Sequence, residues 1–204
     1  MKPINSNLLA LILTGILITG VTAHAEEKTK KYSESWPVST VQTLEINNRF
    51  GEINVTDKGG NSVTVDVVVT VEALSDRKAQ ELLELINISF GKTGNTVTAE
   101  THISRNFSSR QRFSINYEIN IPPDKNLSLT NKYGNTFVNL LNASGHFDIQ
   151  YGNLTVNKLN TQQKSSVDIN LAYGKSNIES AKDVAVTVQY STMNFGVLND
   201  LKMN

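Results

Sequence analysis

Apolar and polar residues alternate along most of this chain, and the alternation breaks at regular places. Each break is an aromatic residue followed by a small one. With that small residue as origin, Gly134, Gly152, Gly174 and Ser191 come into register at intervals of 18, 22 and 17 residues. Seven, five and three positions upstream stand Leu127, Leu129 and Asn131, then Gly145, Phe147 and Ile149, then Val167, Ile169 and Leu171, then Val184, Val186 and Val188. The residue just before the origin is Tyr133, Tyr151, Tyr173 or Tyr190. Two and four positions downstream come Thr136 and Val138, Leu154 and Val156, Ser176 and Ile178, Met193 and Phe195. Far upstream, Leu44, Ile46, Asn48, Phe50, Gly51, Ile53 and Val55 repeat the template.

Positions two apart share one face of a strand. The step from the aromatic to the next apolar residue is odd, so an unbroken strand would send the two series to opposite faces. A corner or bulge at the glycine keeps both facing inward, since glycine tolerates conformations other residues avoid. On that reading the pairs Phe50-Gly51, Tyr133-Gly134, Tyr151-Gly152, Tyr173-Gly174 and Tyr190-Ser191 are the corners of successive rungs, and the aromatics stack inside the core. A coil of about 20 residues cannot bury its own apolar face, whereas stacked coils can. The pattern predicts a mainly β fold, with a right-handed parallel β-helix or related solenoid over residues 125–204. An antiparallel meander of the same period is the alternative.

Residues 36–124 predict an N-terminal β region with one helix. "VTVDVVVTVEA" from Val63 is a β-branched run of the kind buried on both faces. In "SDRKAQELLELI", Ser75 is placed to cap a helix over about 75–86, with Ala79, Leu82, Leu83 and Ile86 on one side. A hairpin is expected about Lys92–Asn95, and Pro122-Pro123 ends the strand before the repeats.

The first residues follow a different pattern. Lys2 precedes an apolar run from Leu8 to Val21, and Ala23-His24-Ala25 matches a small-x-small cleavage site. Residues 1–25 read as a signal peptide cut between Ala25 and Glu26, and 26–35 as a mobile leader. The run is short of the roughly 20 residues that span a bilayer, so no membrane span is expected after cleavage. The expected location is exported, periplasmic or at the cell surface.

Composition narrows the chemistry. The chain has no cysteine, which excludes disulfides and thiolate metal sites, and its formal net charge is zero. No basic face suggests nucleic acid, and "SRNFSSRQR" at 104–112 reads as a polar connection. His102 and His146 are isolated in sequence, so neither a metal site nor a cofactor is expected. Asp148 and Asp168 stand at outward parity on successive rungs, where paired carboxylates could serve glycoside chemistry, but the Asp, Arg, His and Lys clusters such enzymes need are absent from these coils, and a solvated face explains the two aspartates better. "GKTGNT" at 91–96 has the wrong order for a phosphate loop. Asn135 with Asn153, and Asn139 with Asn157, are placed to ladder between rungs. No catalytic residues are assigned.

The repeated unit, the upstream "LEINNRFGEINV", the capped helix before "INISF" and the passage "YEINIPPDKNLSLTNKYGN" together resemble the bacterial putative-adhesin β-repeat family, a domain of unknown function similar to head domains of autotransporter adhesins. The likeness covers about residues 36–204. It implies an exported β-solenoid domain; the role expected here is a non-enzymatic scaffold or binding surface, with an envelope or host glycan or another envelope protein as partner. It also implies genes often set beside anti-sigma regulators, which leaves a periplasmic sensory role as an alternative. A carbohydrate-active β-helix enzyme is a third. Chains of this type often continue for more rungs, and at "LNDLKMN" Leu198, Leu201 and Met203 look like entry to another coil. Either the sequence is truncated or its last rung closes unusually. Oligomeric state is left open.

Overall fold

The computed structural model describes residues 26–108, 112–161 and 165–203. The signal-peptide reading of 1–25 lies outside these residues, as does Arg110. The elements in chain order are β1 (Glu26–Pro37), β2 (Thr43–Arg49), β3 (Ile53–Thr56), β4 (Ser62–Ala73), α1 (Asp76–Leu83), β5 (Ile86–Thr93), β6 (Thr96–Ile103), β7 (Phe113–Asn120), β8 (Asn126–Lys132), β9 (Thr136–Leu141), β10 (Gly145–Gln150), β11 (Leu154–Asn160), β12 (Val167–Ala172), β13 (Lys175–Gln189) and β14 (Thr192–Met203). They form one 14-stranded sheet.

The repeat builds two parallel ladders. In one, β2, β8, β10, β12 and the second half of β13 lie side by side, with Leu44, Leu127, Gly145, Val167 and Val184 in one column. In the other, β3, β9, β11, the first half of β13 and β14 pair in the same way. Strand β13 bends at Asp183 (φ 53°) and so belongs to both ladders. The repeat strands therefore pair parallel, not as the meander would. Their inward series are buried as the alternation requires, from Leu127 and Leu129 through Phe147 and Ile149 to Ile169 and Leu171.

The rest of the sheet is antiparallel in part. Strand β4 pairs antiparallel with β1 and with β7, and β5 with β6. The sheet as a whole is mixed, so it does not establish a right-handed parallel β-helix. Residues 26–35, expected to be a mobile leader, are instead most of β1, in register with β4 over its whole length. Tyr32 of β1 donates to the Ile86 carbonyl (3.1 Å), and Trp36 meets Phe90 edge-on at 6.2 Å. These contacts bring the two ends of the sheet, β1 and β5, together in a nearly closed, barrel-like arrangement.

Two further expectations change. Strand β4 buries Val63, Val65, Val67, Val69 and Val71 but exposes Asp66 and half-exposes Val68, so it alternates instead of being buried on both faces. Helix α1 ends at Leu83, and Ile86 opens β5. Its start is as expected: Ser75 Oγ accepts from the Lys78 amide (3.3 Å), while Ala79, Leu82 and Leu83 are buried.

Candidate functional site: the aromatic corner ridge

The five corner aromatics all adopt left-handed backbone: Phe50 (φ 65°), Tyr133 (62°), Tyr151 (55°), Tyr173 (56°) and Tyr190 (50°). That conformation costs a non-glycine residue about 1–2 kcal/mol. It also resolves the parity problem, because the left-handed residue turns its side chain outward while both apolar series stay in. The expected inward aromatics are therefore corrected. Tyr133, Tyr151 and Tyr173 are 42%, 46% and 48% exposed, and Tyr190 is 83% exposed.

The glycines have a different task. At Gly51, Gly134, Gly152 and Gly174 no left-handed φ is needed, but a Cβ would collide with the backbone carbonyl of Ile115, Gly51, Gly134 and Gly152 respectively. From Gly134 on, each corner thus sits directly on the one before it, while Gly51 sits on Ile115, and only a residue without a side chain allows the approach. Ser191 ends the series differently, accepting from the Gly174 amide (2.9 Å) and donating to the Gln189 carbonyl (2.8 Å). From inside, the buried Asn131 clips its corner through its amide nitrogen to the carbonyls of Gly51 and Asn135, both at 3.1 Å.

Rung stacking aligns the rings. Centroid separations are 5.0 Å from Phe50 to Tyr133, 5.0 Å to Tyr151, 4.8 Å to Tyr173 and 5.1 Å to Tyr190, with interplanar angles of 12°, 15°, 2° and 13°. Each ring face is covered by its neighbour, so what the interior of the row offers solvent is ring edges. At its first end Phe50 tilts against Phe113, which meets Phe107 edge-on. At the other end Tyr190 leaves one face open.

Polar columns flank the ridge. On one side run Arg49, Lys132, Gln150, Ala172 and Gln189 in register. The Arg49 guanidinium lies 5.5 Å from the Phe50 ring centre, and Lys132 Nζ lies 5.2 Å from that of Tyr133 and 5.7 Å from that of Tyr151. On the other side Asn153 donates through its backbone and side-chain amides to Asn135 Oδ1 (3.2 and 3.1 Å), and the Lys175 amide donates to Asn153 Oδ1 (3.1 Å). Asn157 donates to Asn139 Oδ1 at 2.9 Å in the same rung-to-rung manner.

One solved structure shares this fold. A putative cell adhesion protein from Clostridium sporogenes superimposes with a TM-score of 0.54 at 10% identity, covering 87% of this chain and 100% of that one. Putative adhesins from Bacteroides fragilis (12% identity, 86% of this chain and 97% of that one, TM-score 0.32) and Parabacteroides distasonis (13%, 85% and 74%, 0.31) are also similar. The resemblance to adhesin-type β domains seen in the repeat is thus met at the level of fold. No family model matches the chain, and no curated protein matches it in sequence.

The outward carboxylates do not pair. Asp148 stands beside Thr130 and Asn170 and accepts from Gln150 (3.3 Å), while Asp168 stands beside His146 and Ala185. Ser128, His146 and Asp168 do form one column on three neighbouring strands around an open depression of about 260 Å³. Among the described residues no hydrogen bond joins them, as nucleophilic catalysis would need. The repeat register could have revealed this column, since all three stand six residues before the corner. A second contact, Ser89 Oγ to His102 Nε2 at 2.7 Å, was not legible, because it depends on the β5–β6 pairing. Glu100 approaches that same nitrogen at 3.8 Å, so it cannot orient the ring from the far side as a triad acid does. Among the described residues there is no cluster of potential metal ligands, and no helix is long and apolar enough to cross a membrane.

Proposed function

We propose that this chain is an exported, non-enzymatic, adhesin-like protein of the bacterial envelope, cut between Ala25 and Glu26. In this reading residues 125–204 are coils of a right-handed β-solenoid whose outer surface binds glycan or protein. The observation that carries it is the repetition of the same outward groups in register on successive rungs, a linear surface of many weak contacts instead of a single enclosed site. The depressions on it are open, from about 250 Å³ beside Asp148 and Gln189 to about 390 Å³ beside Phe50 and Asn135. An adhesion role is also the one described for the Clostridium sporogenes protein that shares the fold.

The test is to incubate the exported protein, its start checked by intact mass, with immobilised envelope and host polysaccharides and with envelope protein extracts. Retention without release of reducing ends is expected. Sugar release abolished by Asp148→Asn or Asp168→Asn would establish an enzyme instead. Failure to retain any component would remove the adhesin reading.

A further inference from the structure

We propose that the tyrosine ridge is the ligand site, and that its ligand is a linear, uronate-bearing polysaccharide lying along the stack with one sugar per rung. This rests on the binding reading above and names its ligand class.

The geometry of the rings decides the mode of contact. Because Tyr133, Tyr151 and Tyr173 are stacked within 5.1 Å on both faces, they cannot act as flat platforms for a sugar ring. Their exposed parts are the edges, and among the described residues no hydrogen bond engages their hydroxyls. The ridge is therefore a row of phenols at rung spacing, each able to donate or accept. Tyr190, open on one face, is the single place where a sugar could stack.

The spacing selects the ligand. A β-1,4-linked chain of pyranoses advances per sugar by a length close to, and slightly above, the ~4.8 Å strand spacing, so over a few rungs each sugar can meet a phenol. An extended peptide presents side chains to one face every ~6.6 Å, out of step with the rungs. The ridge is a line of corners rather than a sheet edge, so it offers no ladder of backbone groups for an added strand.

Charge selects within the glycans. The flanking columns carry Arg49, Lys132 and Lys175 against one carboxylate, Glu52, in a chain whose overall charge is zero. Glu52 Oε1 already accepts from Asn135 Nδ2 at 3.4 Å. The excess positive charge lies within reach of carboxylates on a chain following the phenols.

Isothermal titration of the full chain with β-1,4-linked oligomannuronates and with neutral β-1,4-linked cello-oligosaccharides of two to eight sugars tests the assignment. Affinity for the acidic series is expected to rise with length, level off at four or five sugars, and fall with added salt. Tyr133→Phe, Tyr151→Phe and Tyr173→Phe together keep the stack, checked by an unchanged melting transition, and should weaken binding at least tenfold. Lys132→Gln with Lys175→Gln, on the surface, should remove most of the salt dependence. Binding of neither series, or acidic binding unaltered in both variants, overturns the ridge assignment. If binding is instead lost in Asn170→Ala with Thr187→Ala, the site lies on the strand faces, and the adhesin reading survives without the ridge.

Discussion

Replacing Gly152 by alanine tests the role assigned to the corner glycines. The added Cβ would meet the carbonyl of Gly134, a backbone atom of the next rung that no rotamer change can move aside. The two corners must therefore separate. Overpacking of this kind costs about 1–3 kcal/mol. Separation also strains neighbouring bonds, including those from the Tyr133 amide to the Gln150 carbonyl (2.9 Å) and from the Thr136 amide to the Asn153 carbonyl (2.8 Å). If both are weakened, a further loss of about 1–2 kcal/mol follows, giving roughly 2–5 kcal/mol against the 5–15 kcal/mol typical of a whole domain. Gly59→Ala is the control: Gly59 has φ 71° and no atom within 4 Å of its would-be Cβ, so only the backbone cost of about 1 kcal/mol applies. Urea unfolding followed by the fluorescence of Trp36, the chain's one tryptophan, reads both. A Gly152→Ala midpoint equal to or above that of Gly59→Ala would refute the close-approach argument.

Three further outcomes are expected. Tyr151→Ala removes two stacking contacts and should cost about 1–3 kcal/mol, whereas Tyr151→Phe should leave the midpoint within about 0.5 kcal/mol of wild type; equal losses in both would mean that the hydroxyl, not the stack, holds the corner. Burial raises the Tyr117 pKa well above its ordinary value, opposed in part by its 2.8 Å hydrogen bond with Thr101. Above about pH 10 the unfolded chain ionises this tyrosine while the folded one keeps its proton, so stability should fall by up to about 1.4 kcal/mol per pH unit. Tyr117→Phe should flatten that alkaline decline, measured by urea midpoints from pH 8 to 11. Asn157→Ala breaks the 2.9 Å bond to Asn139 and should cost about 0.5–1.5 kcal/mol, checked by the same unfolding curves, with no effect on glycan binding.

Much of the architecture was legible because side-chain periodicity is a property of the chain before it folds. The inward sets at Leu127 and Leu129, Phe147 and Ile149, and Ile169 and Leu171 follow from period two alone, and their common spacing from a corner determines which of them become neighbours. The start of α1 at Ser75 and the Asn139–Asn157 pair were readable for the same reason. The corner itself was not. An odd step shows that one residue near the glycine must turn the chain, but it does not say which, and glycine is the residue that turns most easily. Only stacking brings the Gly134 carbonyl against Gly152, reserving that position for the absence of a side chain and leaving the left-handed turn to Tyr151. Once turned, the rings stand outside at rung spacing, where mutual stacking of about 0.5–1.5 kcal/mol per pair offsets the backbone cost. Likewise β1 has no signal of its own beyond polar alternation; it becomes a strand because β4 presents it with an open edge. Periodicity set which residues face the core, and contact between rungs decided which face the solvent as a ridge.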